Sequence, residues 1–290
     1  MKSFSPLIIV VLLVAAVIAL GYVFIRHDLG WTEVGRVEVA APECDSTALA
    51  ETAGNQQHPL DAALELARQV EQNIDQNVRD YTAIVIKQER SGGKLKPEEI
   101  CDVKVRNKPF SVYMKFLAPD NLKGQEVIYV EGANNGKLIG HAGSGAAALL
   151  GSKWFDPRGP IAMFGQRYPI TELGIANLVK RLVEIGQHDR QYGECYVWRN
   201  DNAMVGDRPC ISITVMHPVR RSGFIFHIAR IFIDKELTVP LHYEAYDWPQ
   251  QPDEAPPLLE SYTYAHLKLN PGLTGADFDP QNPDYNFGLK

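Results

Sequence analysis

Few residues of this chain stand at spacings that could do covalent chemistry. Ser144 lies in Ala-Gly-Ser-Gly-Ala, which lacks the first glycine of a G-x-S-x-G nucleophile elbow and does not join a buried strand to a long helix. It reads as loop. Gly140, Gly143, Gly145 and Gly151 look like a phosphate cradle, but no Gly-Lys-Ser/Thr triplet occurs and the surrounding pattern is not βαβ, so nucleotide binding is excluded. His217, His227 and His242 fall singly on different expected strands without an H-E-x-x-H, and read as satisfied or surface groups. Cys44, Cys101, Cys195 and Cys210 form no CxxC or zinc-like spacing, and four cysteines leave three pairings open. No metal, no disulfide and no cofactor is expected.

Glu244 and Asp247 beside Trp248 are the one arrangement that suggests an enzyme, as an acid/base pair next to a ring that could stack on a sugar. Three positions apart on a strand, the two carboxylates point to opposite faces. Glycan chemistry is therefore the weakest of the readings, and the chain is expected not to be an enzyme.

What the side chains favour is apolar binding. Val103, Val105, Val112, Met114, Phe116, Val127 and Tyr129 in a first group of strands, and Ile211, Ile213 and Val215 in a second, supply an apolar surface without a convergent polar catalytic group. Met163 and Phe164, in a Pro/Gly-rich segment with Trp154, Phe155 and Ile161, are expected to fold back over Val112, Met114 and Phe116 as a lid. Together they would line a cavity for an acyl chain, each buried methylene contributing about 0.8 kcal/mol. Taken one at a time, each of these residues also suits ordinary core packing.

The elements that must carry this surface follow from periodicity. Leu60, Leu64, Ala67, Ile74 and Val78 form a helical stripe after Pro59, opposite Glu65, Arg68, Glu71, Asp75 and Arg79. Strands follow from Tyr81, with Cys101, Val103 and Val105 expected inward and Asp102, Lys104 and Arg106 outward. Asn134-Asn135-Gly136 signals a hairpin. A second helix starts near Thr171, with Ile175, Leu178, Val179, Leu182 and Val183 on its apolar face and Gly186 as its stop. Five more strands end the chain. The expected fold is α+β: a curved antiparallel sheet of about ten strands, an incomplete barrel, wrapped around helices.

Composition agrees with a folded domain: 45% of the 290 residues are hydrophobic and 22% charged. The net charge of −6 speaks against nucleic acid, whose phosphates call for Lys and Arg. Leu7 to Ile25 is free of charged and strongly polar side chains, long enough at about 1.5 Å per residue to cross a hydrocarbon core of roughly 30 Å. Bulky Tyr22, Phe24 and Ile25 stand where a cleavage site would want small residues, which favours an uncleaved anchor over a signal peptide. The expected organisation is a signal-anchor or transmembrane segment over 1–27, a flexible tether over 28–58 and one domain over 59–290. Lys2 and Arg26 flank the run almost symmetrically, so charge does not choose the orientation.

The order of these elements resembles the LolA/LolB-like lipoprotein-carrier superfamily. The C-terminal third resembles an uncharacterised bacterial envelope family, domain-of-unknown-function family 1571. That resemblance is carried by Ile233-Asp234-Lys235, Pro240, Tyr243-Glu244, Tyr246-Asp247-Trp248-Pro249, Tyr262-Thr263-Tyr264, Leu267 to Asn270, Phe278-Asp279-Pro280, Asn282-Pro283 and Tyr285, and spans roughly Leu60 to Phe287. It implies a LolA-like domain in a bacterial envelope, and no activity. The expectation is a non-catalytic binding protein for a lipid or acylated protein. It would be held in the cytoplasmic (inner) membrane by a single pass through residues 7–25, with its domain facing the periplasm. A sensor or scaffold that binds another envelope protein is the alternative.

Overall fold

Residues 58–251 and 253–288 are described by a computed structural model. The expected membrane segment over 1–27 and nearly all of the tether over 28–58 lie outside the described residues. No helix among the described residues is long and apolar enough to cross a membrane.

Helix α1 (Leu60–Asn77) leads into β1 (Asp80–Ser91), β2 (Lys94–Leu95), β3 (Glu99–Arg106), β4 (Ser111–Ala118), β5 (Glu126–Val130) and β6 (Leu138–His141). The middle holds a single turn, α2 (Gly145–Ala148), then β7 (Lys153–Phe155) and α3 (Ile175–Asp189). The chain continues as β8 (Tyr196–Val205), β9 (Arg208–Met216), β10 (Ile228–Asp234), β11 (Pro240–Tyr246) and β12 (Leu258–Leu269).

These twelve strands form one sheet in the order β7-β6-β5-β4-β3-β1-β12-β11-β10-β9-β8, with β2 paired to β1. Strand β1 is central, antiparallel to β3 on one side and to β12 on the other. Two meanders thus run outward from it, and their joining requires the last strand to return to the first. Among the described residues the count of about ten becomes twelve: β2 and β7 have two and three residues, too short for a period of two to register. Trp154 and Phe155 are accordingly not loop residues. They pair with Ile139 and Leu138 on the edge strand β7.

One face of the sheet carries the helices. Val70 and Ile74 of α1 and Ile175 and Val179 of α3 pack with Val103, Val105 and Val112 in a single buried cluster. The alternation expected on β3 holds: Cys101, Val103 and Val105 are buried, whereas Asp102, Lys104 and Arg106 are only partly so.

Helix α3 begins at Ile175, four residues later than the sequence pattern suggests, because Ile170–Glu172 form a separate 3-10 turn. Its start is fixed by Tyr81: the Ile175 N–H donates to the buried Tyr81 hydroxyl at 3.1 Å, satisfying one of the amides a helix leaves without a partner. Gly174 makes this approach feasible, since its φ is +108° and a Cβ there would lie 2.8 Å from the Tyr81 hydroxyl oxygen. Gly186 is not the stop of this helix, which runs on to Asp189. A Cβ at Gly186 would lie 2.8 Å from Leu64 Cδ2, so the glycine is where α1 and α3 approach.

The opposite face of β4–β6 is covered by the C-terminal segment. Phe278 and Phe287 bury Tyr113, Ile128 and Ile139, and the Tyr285 ring stacks on Tyr113 with centroids 4.0 Å apart. Glu126 fastens this segment, accepting the Asn286 N–H at 2.8 Å and the Asn286 side-chain amide at 3.1 Å.

Candidate functional site

Between α3, the insertion ahead of it and the helix-bearing face of the sheet lies a cavity of about 990 Å³. Its apolar wall comes from Val85, Met114, Phe116 and Val127 on the strands and from Leu173 and Leu178 beside and on α3. Of the residues expected to form the apolar surface and lid, Met114, Phe116, Val127 and Phe164 border this cavity, as do Phe155 and Ile161 beside them. Ile213 and Val215 instead line a separate cavity of about 90 Å³ against α1 and α3. Val103, Val105 and Val112 are fully enclosed in the core. Tyr129 packs beside Phe110, with ring centroids 6.3 Å apart, and with Ile211 and Met163 it lines neither cavity. The two sets of strands are not brought together because β4 and β9 are six positions apart in the sheet, about 29 Å at roughly 4.8 Å per strand.

One end of the cavity is polar. Along β1 the side chains that follow Val85 on the same face are Lys87 and Glu89. Glu99 precedes Cys101 on β3, and Glu260 precedes Tyr262 and Tyr264 on β12. Lys87, Glu89 and Glu260 are buried. Lys87 Nζ lies 2.9 Å from Glu99 Oε2 and 3.6 Å from Glu89 Oε1, and also donates to Gln166 Oε1. The Tyr262 hydroxyl and the Arg167 N–H donate to the two oxygens of Glu89 at 2.8 and 2.7 Å, while Arg167 Nε meets Glu260 Oε2 at 2.7 Å.

Burial shifts these groups in different directions. Burial raises the Glu260 carboxyl above its ordinary range, against the pull of Arg167 and Tyr168. Burial opposes the charge of Lys87, but Glu89 and Glu99 outweigh it and hold the ammonium on. Burial also pushes the Tyr262 hydroxyl far up, and Tyr168 up to about 12. The result is a dense set of fixed donors and acceptors at one end of a mainly apolar space, suited to a polar head on an apolar body.

The sequence reading of an apolar surface named none of these polar groups. The signal was in the phase of alternation. If Cys101, Val103 and Val105 face inward then so does Glu99, and the phase of Ala83 and Val85 carries Lys87 and Glu89 with it. Gln166, Arg167 and Tyr168 carry no such signal, because a loop has no period.

The insertion does return over the cavity, but not through its phenylalanine. Phe164 is almost wholly exposed at the mouth, and the residues that reach inward are Gln166, Arg167 and Tyr168. The reason is electrostatic: Glu89 and Glu260 supply buried partners for Arg167, whereas Phe164 meets only the edge of an open cavity.

The other titratable groups singled out in the sequence serve the fold. Glu244 is bound by Arg230 at 3.4 Å and by the Tyr246 hydroxyl at 2.9 Å, while Asp247 accepts the Trp248 N–H at 2.9 Å, so the two carboxylates serve different partners. His217 Nε2 lies 3.0 Å from Asp189 Oδ2 in the interior. Burial, with Asp189 nearby, pushes the Cys195 thiol up to about 11, which withholds the thiolate that nucleophilic chemistry needs. No group of three potential metal ligands occurs among the described residues.

Comparison with solved structures finds chains similar in trace and distant in sequence. A DUF1329 family protein from Desulfovibrio piger aligns over 77% of this chain and 98% of its own at 12% identity, with a TM-score of 0.37. The lipoprotein LppX from Mycobacterium tuberculosis aligns over 76% and 100% at 13% identity, TM-score 0.36. A LolA superfamily protein from Nitrosomonas europaea aligns over 73% and 97% at 11% identity, TM-score 0.31. Comparison with curated proteins gives no match. Residues 78–287 match the family model described as a protein of unknown function, DUF1571. That stretch contains the central strand β1, the cavity and the C-terminal segment, and with most of its length matched the chain belongs to the DUF1571 family.

Proposed function

We propose that the domain is a binding protein for an amphiphile, a lipid or the acylated end of a protein, held non-catalytically. The observation that carries this reading is the cavity of about 990 Å³ with Met114, Phe116 and Val127 on its apolar wall and Lys87, Glu89, Glu99 and Glu260 at its polar end. Its volume is at the upper end of the range for small-molecule sites, roughly 300–1,000 Å³. An apolar chain would run along β4 and β5, gaining about 0.8 kcal/mol per buried methylene, and its head would meet the charged groups. The apolar run Leu7–Ile25 would anchor the protein in the cytoplasmic membrane of a bacterial envelope, with the domain on the periplasmic side.

The test is native mass spectrometry of the full chain purified from membranes, with solvent extraction of whatever it carries. A lipid-sized adduct is expected. It should be lost in Val127→Trp, which fills the apolar wall, provided that the variant keeps a cooperative unfolding transition. A chain that carries no lipid from membranes, and takes up none when offered phospholipid or a triacylated peptide, would overturn the reading in favour of a sensor or scaffold for another envelope protein.

A further inference from the structure

The insertion between β6 and α3 exposes five large apolar side chains: Leu149, 90% exposed, Phe164, 86% exposed, and Leu150, Ile161 and Trp154. Single exposed leucines are normal on protein surfaces, whereas a cluster this size calls for a partner. These side chains are not scattered. Leu150, Ile161 and Phe164 border the large cavity despite their exposure, so they ring its opening. The charge around them differs from that of the chain as a whole. Of the bases between Gly143 and Ile170, Arg167 turns inward to Glu260 and Arg158 pairs with Glu172 at 2.9 Å, which leaves Lys153 as the unpaired surface cation of this stretch, in a protein of net charge −6. Exposed Lys153 and Lys180 border the same opening, with Glu184 the one exposed acid beside them among its lining residues.

We propose that this rim docks on a lipid bilayer, with Leu149, Leu150, Ile161 and Phe164 entering the acyl region and Lys153 and Lys180 meeting anionic headgroups. Aliphatic and aromatic side chains flanked by lysines are the composition of an interfacial membrane contact. The sequence supplies a reason for a membrane as the occupant. In the sequence the uncharged run Leu7–Ile25 stands only about 30 residues ahead of the domain, so a bilayer holding that run would have the rim within its neighbourhood. Docking would open the cavity mouth directly onto lipid. Only that purpose rests on the ligand reading above; the contact itself does not.

The experiment uses the full chain in vesicles, with Cys44→Ser as background since the other three cysteines are buried. Nitroxide labels are placed singly at Leu150→Cys, Phe164→Cys and, as reference, Met204→Cys on β8 at the far edge of the sheet. Collision rates with oxygen and with a water-soluble nickel chelate report depth. In phosphatidylcholine/phosphatidylglycerol vesicles, positions 150 and 164 are expected to favour oxygen and position 204 the chelate. The oxygen preference should weaken in pure phosphatidylcholine, and at position 150 it should be lost on adding Ile161→Asp. Equal chelate access at all three positions overturns the proposal. So does shielding of 150 and 164 from both reagents, which would place a protein or a second copy on the rim. Native mass spectrometry separates the two readings: oxygen-favoured labels without bound lipid refute the ligand reading alone, and bound lipid with a water-exposed rim refutes the docking alone.

Discussion

Arg167, in the insertion ahead of α3, reaches Glu260 on β12 with Nε 2.7 Å from Oε2. Ninety-three positions apart in sequence, the two join the mouth of the cavity to its floor. The Arg167 backbone N–H is bound to Glu89 on the adjacent strand as well, so the insertion is held by charge at the point where its apolar residues turn outward.

The polar end of the cavity predicts a large cost for removing one charge. Lys87→Met leaves buried Glu89 and partly buried Glu99 without their shared cation, and should destabilise the fold by about 3–5 kcal/mol. Lys87→Met combined with Glu99→Leu should recover part of that loss. Chemical denaturation of the single and double variants measures both. A neutral Lys87→Met would show that water reaches these carboxylates.

The Glu260 carboxyl is raised above its ordinary value of 4.5 by burial. In the unfolded chain it ionises first, so stability should fall as pH rises from about 4.5 through the raised folded value. Glu260→Gln should remove that decline. Unfolding midpoints recorded across pH 4 to 8 for both proteins provide the comparison, and parallel curves would refute the assignment.

Glu126 titrates in the opposite sense. Burial works against its charge, but the Asn286 N–H, His141, the Asn286 amide and Lys115 outweigh it and hold the carboxyl below 4.5. Its contribution is present above pH 4.5 and lost as pH falls through the lower folded value. Glu126→Ala should free the C-terminal segment at neutral pH, at a cost of about 1–3 kcal/mol. Limited proteolysis near Tyr285 and Phe287 reads the release directly: cleavage should be faster in the variant, and in the native protein only in acid.

Tyr81 and Gly174 make a paired prediction at the start of α3. Tyr81→Phe leaves the Ile175 N–H buried without an acceptor and should cost about 1–3 kcal/mol. Gly174→Ala combines a φ of +108° with a Cβ against the Tyr81 oxygen, and should cost at least as much. In the double variant the losses should not add, because the alanine is relieved of the hydroxyl it meets. Thermal unfolding of the three variants checks this coupling.

Much of the fold is legible in the sequence because alternation and helical stripes are local. The inward phase of Cys101, Val103 and Val105 and the apolar faces of α1 and α3 follow from the repeat of side-chain direction, whatever the chain does elsewhere. The two shortest strands, β2 and β7, escape because two or three residues do not define a period, and their pairing is decided by the end of β1 that projects past its neighbours and by the open edge of β6. Gly186 misleads for a related reason. Its role depends on Leu64, more than a hundred positions away, and glycine reads as a helix stop when only its neighbours are considered.

The candidate site divides along the same line. The sequence determines that Met114, Phe116 and Val127 form an apolar face, and, through the continued phase of β1, β3 and β12, that Lys87, Glu89, Glu99 and Glu260 share that face. Only the tertiary structure decides that these four meet at one end of one cavity, that Ile213 and Val215 belong to another, and that Arg167 turns in while Phe164 turns out. The physical reason is that side-chain direction is set by the local backbone, whereas which strands become neighbours, and which loop finds a buried charge, is set by long-range packing.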